Sequence, residues 1–299
     1  MTLRQKTEEK YYLIVHGIRR HMKLKINKQI VGYTIYGILI FIALFYLRFP
    51  NDVVVNYITS TLSERNPNVM LSIDSIKPSL PPGLKANNLT LGFKDEADST
   101  IQADMLTVRP GLLSLLKGKS TLILYAITYG GTIEGNLALA NLRSGEGPVN
   151  TEISFDSLNI DKCSYLTDKL GRQITGKFQG SLTYNIGNEG FAGSTGNLNF
   201  TILNGTYQLL ESLLGFDKLD FSKIEGQMTL KSSVLKIDKL KLTGDKVRCS
   251  LKGNIVLNSN AIKSSQIDIT CDVEIPGQSN KKMSILVSGT LGKPITKIM

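Results

Sequence analysis

From Asn68 to the C-terminus the dominant hydrophobic period is two. The clearest case is Gln266–Ile275, where Ile267, Ile269, Cys271, Val273 and Ile275 alternate with Asp268, Thr270, Asp272 and Glu274. Successive strand side chains point to opposite faces, so this pattern predicts an antiparallel strand with one face buried. Phe178, Leu182, Tyr184 and Ile186 alternate with polar residues in the same way. Further predicted strands carry Val69–Ile73, Leu89–Phe93, Ile101–Val108, Ile133–Leu142, Ile153–Phe155 and Leu198–Ile202. The last are Ile224–Leu230, Val234–Leu242, Val247–Asn258 and Met283–Leu291. Leu122–Tyr129 is apolar on both faces, as expected of a central strand or one lining something apolar. About a dozen strands with hairpin-length connections predict a mainly β fold: one long, strongly curved antiparallel sheet or two stacked ones. Its apolar face must be covered, closed into a barrel, or filled by a ligand.

A second feature sits near the N-terminus. Ile30 to Leu47 is a run of 18 residues without a charge, passing through Ile38 and bounded by Lys28 and Arg48. A helix of that length covers about 27 Å, close to the hydrocarbon thickness of a bilayer. No polar face is available to meet water, and tyrosines lie toward its ends, as interfacial aromatics do. The residues after it offer no small-x-small cleavage site, so an uncleaved signal anchor is expected rather than a removed signal peptide. The preceding Lys/Arg excess places the N-terminus in the cytoplasm and residues 48–299 outside, in the periplasm of a Gram-negative cell. Residues 1–29 then form a basic cytoplasmic tail, and Met22 is an alternative translation start to Met1.

That tail also explains the net charge of +10. It holds eight Lys/Arg against Glu8 and Glu9, which leaves only +4 for the rest of the chain. Nucleic-acid binding needs a basic, aromatic-bearing patch on the folded part; none is visible in the sequence, and Trp is absent.

Short helices punctuate the strands. One is expected from Asn51 or Asp52, as cap, to about Glu64, with Val54, Tyr57, Ile58, Thr61 and Leu62 on one stripe. Others are expected at LLSLLKGKS (112–120), Asp161–Leu170 and Tyr207–Leu214. Pro78 and Pro81-Pro82-Gly83 break the first strand pair, and the segment KDEADST (94–100) reads as a polar loop. RSGEGPVN (143–150) is the most linker-like stretch, dividing a first β-rich part, 48–142, from a second, 151–299.

Residues that carry chemistry are scarce. Both histidines, His16 and His21, lie in the basic tail, and the outer part has no nucleophile motif, P-loop or metal-ligand spacing. The row Asp268, Asp272 and Glu274 reads as a solvated strand face rather than a calcium cluster. Cys163, Cys249 and Cys271 are an odd, sparse set, expected to be free core residues, with a Cys249–Cys271 bond as the alternative. No enzyme, cofactor or metal site is expected.

A loose glycine motif recurs in GGTIEGNLAL (130–139), GKFQGSLTYN (176–185), EGQMTL (225–230), LKGNIVL (251–257) and VSGTLGKPI (287–295). Glycine within a strand relieves crowding at a bend or bulge, although common turn chemistry gives the same spacing. The stretch 224–258, IEGQMTLKSSVLKIDKLKLTGDKVRCSLKGNIVLN, resembles an AsmA-like repeat, and the end, SGTLGKPITKI, resembles the close of such domains. Together with ADMLTVRPGLLSLLKGKSTLILYAITYGGTIEG (103–135), the layout over about residues 30–299 is similar to the GspN proteins of type II secretion systems. The resemblance implies an accessory, non-catalytic inner-membrane component with an AsmA-like periplasmic part and other secretion subunits as partners. It carries over no catalytic residue. AsmA-like relatives imply an alternative, lipid binding or transfer along an apolar β-groove, to which Leu122, Leu124, Phe178, Leu182, Tyr184, Ile267 and Ile269 would contribute. A packed core accounts for the same residues.

Overall fold

A computed structural model describes residues 28–94, 96–140, 148–187, 190–213, 216–259, 261–276 and 282–298. The basic tail up to residue 27, with Met22 and both histidines, and most of the 143–150 linker lie outside the described residues. The chain divides into two units, Met1–Phe49 and Pro50–Met299. Within the first, helix α1 (Lys28–Leu47) has none of its residues buried, a mean hydropathy of 2.2, and the length to cross a membrane.

The second unit is one sheet. Its strands are β1 (Val69–Ser79), β2 (Gly83–Phe93), β3 (Glu96–Pro110), β4 (Ser120–Thr128), β5 (Gly131–Leu139), β6 (Pro148–Asn159) and β7 (Lys177–Gly187). They continue as β8 (Gly190–Leu213), β9 (Phe216–Lys231), β10 (Val234–Thr243), β11 (Arg248–Val256), β12 (Gln266–Glu274), β13 (Lys282–Thr290) and β14 (Lys293–Ile298). Every strand pairs antiparallel with its sequence neighbour, from β1 at one edge to β14 at the other, and the sheet does not close. This single open sheet replaces the alternatives of two stacked sheets and a closed barrel. β5 pairs with β6, so hydrogen bonding runs unbroken across the linker.

Three short helices accompany the sheet: α2 (Asn51–Arg65), α3 (Leu112–Leu116) and α4 (Ser164–Leu170). α2 runs beside β1 in the opposite direction. Its N-cap position is Pro50, not Asn51; the Asn51 carboxamide oxygen instead accepts the backbone N–H of Ile76. That bond occupies a donor on a sheet edge, where unpaired backbone invites aggregation. On the α2 stripe Val54, Ile58 and Leu62 are half-buried, whereas Tyr57 is exposed.

Three expectations fail in instructive ways. The helix expected over Tyr207–Leu214, whose last residue lies outside the described residues, is strand up to Leu213: β8 runs on to that residue, and Gly205, Thr206, Tyr207 and Gln208 pair with Phe221, Asp220, Leu219 and Lys218 of β9. The leucines at helical spacing were outvoted by cross-strand partners, a tertiary override of local propensity. Likewise β3 begins at Glu96, inside the expected loop, and Pro78 lies within β1. Proline is tolerated there because β1 is an edge strand.

Helix α4 shows which way the sheet bends. Its Leu166 packs with Ile202 of β8 and Phe221 of β9. On the same helix Ser164 Oγ donates to the Thr100 carbonyl of β3 at 3.1 Å, and Asp168 accepts from Ser99 Oγ at 2.8 Å. Tyr165 meets Phe93 of β2 with ring centroids 5.1 Å apart. In a flat sheet β3 and β8 would lie roughly 24 Å apart, and a seven-residue helix spans only about 10 Å. The sheet therefore curls, with α4 inside the curl near one end of the strands.

Glycines permit that curl. Phe200 of β8 sits between Gly180 of β7 and Gly226 of β9, and a Cβ at Gly226 would fall against the Phe200 ring. At Gly253 φ is +155°, and a side chain would strike the Asp268 carbonyl of the next strand. Gly226→Val should therefore lower stability by roughly 1–3 kcal/mol, the usual cost of overpacking a filled site. Thermal melting of the full chain in mild detergent measures this, with Thr201→Val on the opposite face changing far less.

Candidate functional site

Residues directly opposite one another in an antiparallel pair share a face. One row can be followed across all fourteen strands: Pro78, Leu84, Val108, Leu124, Gly135, Ile153, Leu182, Leu198, Met228, Ile237, Gly253, Ile269, Val287 and Thr296. This row is apolar or glycine until the final threonine. The adjacent row on the opposite face reads Ile123, Asn136, Glu152, Thr183, Asn197, Thr229, Lys236, Asn254, Asp268 and Ser288 from β4 onward. From β5 onward the strand pattern thus sums to a sheet with one apolar and one polar side, whereas in β1–β3 a second apolar set, Ile73, Leu89 and Ala103, alternates with this row. The apolar side carries the residues that pack with α4, including Phe178, Ile202 and Ile224, so it is the inner face of the curl.

All seven residues expected to form an apolar groove, Leu122, Leu124, Phe178, Leu182, Tyr184, Ile267 and Ile269, lie on this inner face. They extend along three separated strands rather than converging on one pocket. Ile267 is buried and the other six are half-buried. The three anchor residues Ile30, Ile38 and Leu47 are at least half exposed on α1.

The inner face is only partly covered. Among the described residues twelve apolar side chains are buried, far too few for a closed core in a sheet this long. A buried apolar cluster, Ile160, Ile202 and Phe221, sits where residues 160–174 fold over β7–β10. An aromatic ladder leads away from it: Phe178 stacks on Phe200 at 5.8 Å and meets Phe155 edge-on at 5.5 Å. Tyr184 stays compatible with this apolar setting because its hydroxyl donates to Ser194 Oγ at 3.1 Å, and Ser194 Oγ donates in turn to the Gly190 carbonyl.

Two cysteines belong to the same face. Cys249 lies opposite Val273 and Cys271 opposite Leu251, so the thiols are diagonal neighbours and both are free. The hydrogen bond to Cys271, with burial, pushes the Cys249 thiol well above its ordinary range. At the covered end Tyr129 is likewise pushed up to about 12, chiefly by burial, while its hydroxyl accepts the Gln102 N–H.

The outer face is solvated and ion-paired. A cleft of about 480 Å³ lies there, lined by Gln179, Ser181, Asn199, Thr201, Glu225 and Lys239. Glu225 bridges Lys223 and Lys239, which hold its carboxyl down at about 2. The acidic row on β12 is spread along this face, with Asp272 accepting from Ser284 Oγ at 2.6 Å. Among the described residues no group of three or more His, Cys, Asp or Glu comes together as metal ligands.

No family model, curated protein or solved structure matches the chain. The class that the fold and site define is an open, single-sheet β meander with a continuous, incompletely covered apolar face.

A depressed carboxyl stabilises the fold above its ordinary range and stops doing so as pH falls through its folded value. Stability should therefore decline between pH 4.5 and about 2 as Glu225 takes up a proton. Glu225→Gln should flatten that part of a pH–melting curve, and molar salt should shrink the difference, since the pairs are exposed.

Proposed function

We propose that this chain is a non-enzymatic, single-pass protein of a bacterial inner membrane, whose sheet stands in the periplasm and shelters lipid acyl chains on its inner face. The observation that carries the reading is the uninterrupted apolar row from β1 to β13, most of it only partly buried. Half-covered apolar surface on this scale costs about 25 cal/mol per Å² to leave in water, so it calls for an occupant. Acyl chains suit it because the row is long, narrow and almost free of hydrogen-bonding groups. Helix α1 and the basic tail support the anchor and its orientation.

A second reading makes the chain an accessory component of the type II secretion apparatus. Its support is the likeness of residues 30–299 to GspN proteins and the open β14 edge, where every residue is exposed. A bare edge accepts an added strand from a partner subunit. Pro294, Lys293 and Lys297 on that strand restrain unspecific pairing.

Full-length protein purified from membranes should crosslink to a photoactivatable phospholipid at inner-face peptides from β7 and β12. Leu182→Asp and Ile269→Asp should cut the yield several-fold, with Ser181→Asp on the outer face leaving it unchanged. Added phospholipid should slow alkylation of Cys271 in the unmutated chain, a readout that does not depend on a folded variant. Crosslinks scattered over both faces, with alkylation indifferent to lipid, would remove the acyl-chain reading. Loss of exported enzymes on deletion, with membrane lipid unchanged, would favour the secretion reading instead. A periplasm-active reporter at the C-terminus should be active; activity only of a cytosolic reporter would overturn the topology.

A further inference from the structure

Antiparallel order puts alternate hairpin tips at the same end of the sheet. The β1–β2 tip, Leu80-Pro81-Pro82, and the β3–β4 tip, residues 111–119 with α3, lie at one end. They are neighbours, because Gly83 packs against Arg109, just before α3. Both tips are apolar and uncovered: Leu80 is 76% exposed, Leu113 77% and Leu116 86%. Such side chains, grouped on two adjoining tips, are not the scattered exposed leucines of an ordinary surface.

Charge singles out the same place. Residues 75–93 and 105–133 contain no Asp or Glu, but they contain Lys77, Lys85, Arg109, Lys117 and Lys119. Asp52, at the start of α2, lies one residue from the Asn51–Ile76 hydrogen bond and so belongs to this end as well. That bond also fixes where the chain enters the sheet: toward the end that carries these tips. Three residues separate Leu47 from Asn51, a reach of at most roughly 14 Å. On the membrane-anchor reading, the chain leaving α1 therefore joins the folded unit at this end.

We propose that the β1–β2 and β3–β4 tips form a membrane-docking surface, with Leu80, Leu113 and Leu116 seated at the headgroup–acyl boundary and Lys117 and Lys119 on anionic headgroups. The occupant is the anchoring bilayer itself, and the assignment rests on the membrane-anchor reading given above. Leucines flanked by lysines are the composition of interfacial segments, and each cation near an anionic surface adds attraction that salt screens. The surface is continuous with the inner face: Leu84, Val108, Leu122 and Leu124 lead from the tips onto the apolar row. Docking there opens a dry path from bilayer to sheet.

The chain has no Trp, so a single introduced Trp reports its own surroundings. Full-length Leu113→Trp, Leu116→Trp, Asp245→Trp and Phe41→Trp are reconstituted into phosphatidylcholine vesicles containing phosphatidylglycerol and brominated phospholipid. Trp at 113 and 116 should emit blue-shifted light and be quenched at least twofold, and Trp at 245, at the opposite end, should not. Lys117→Glu with Lys119→Glu should weaken the quenching at 113, and omission of phosphatidylglycerol should do the same. Unquenched, red emission at 113 and 116 with strong quenching at 41 overturns the docking surface and leaves the anchor standing. No quenching at 41 either removes the anchor and the docking surface together. Blue-shifted but unquenched emission that rises with protein-to-lipid ratio assigns the tips to a second copy of the chain and also overturns the proposal.

Discussion

The rest of the structure depends on a mismatch between the two faces of one sheet. An antiparallel meander satisfies its backbone hydrogen bonds strand by strand, whatever its side chains do. What it cannot settle by itself is the apolar face. A sandwich covers that face with a second sheet and a barrel closes it around a filled interior. This chain does neither, since β1 and β14 remain edges. Curling around residues 160–174 buries Ile160, Ile202 and Phe221, and the same apolar row continues beyond that cover in both directions.

Glycine placement follows from the curl. Gly135, Gly180, Gly226 and Gly253 all fall on the inner face, where bending crowds side chains together. Aromatic rings take up the room that the missing side chains leave, as Phe200 does over Gly226. The recurrent glycine motif in the sequence is therefore tied to inner-face geometry at these positions and not only to turns. The polar face needs no such device: its Lys223–Glu225 pair lies along β9, and the Glu225–Lys239 and Thr229–Asp238 bonds join β9 to β10.

Much of this was legible because strand periodicity is a local property. Ile267, Ile269, Phe178 and Leu182 could be assigned to one face from alternation alone, and cross-strand register then joined them into one side. Register is also where local reading stopped. Leu209, Leu210 and Leu213 fit a helix as well as a strand, and only pairing with β9 decides between them. The single open sheet was equally hidden, because two stacked sheets would show the same alternation in every strand. The segment 94–100 looked like a loop because polarity was taken for irregularity. Ser99 and Thr100 are in fact strand residues whose hydroxyls are satisfied by α4, some sixty residues further along the chain.

An apolar surface that stays open is tolerated only where water is kept from it for part of the protein's life. Helix α1 bears on this directly. A sheet free in solution would expose its β14 edge and its inner face to other copies of itself, a ready route to aggregation. On the proposed reading, a tether at α1 would confine the sheet to a surface whose own interior is hydrocarbon, which would offer the inner face a partner. The asymmetric treatment of the edges fits that arrangement. The β1 side receives α2 and the Asn51–Ile76 bond, whereas β14 is left exposed along its length with proline and lysines as its restraint. The β1 edge is thus covered by its own chain, whereas the β14 edge keeps its residues exposed.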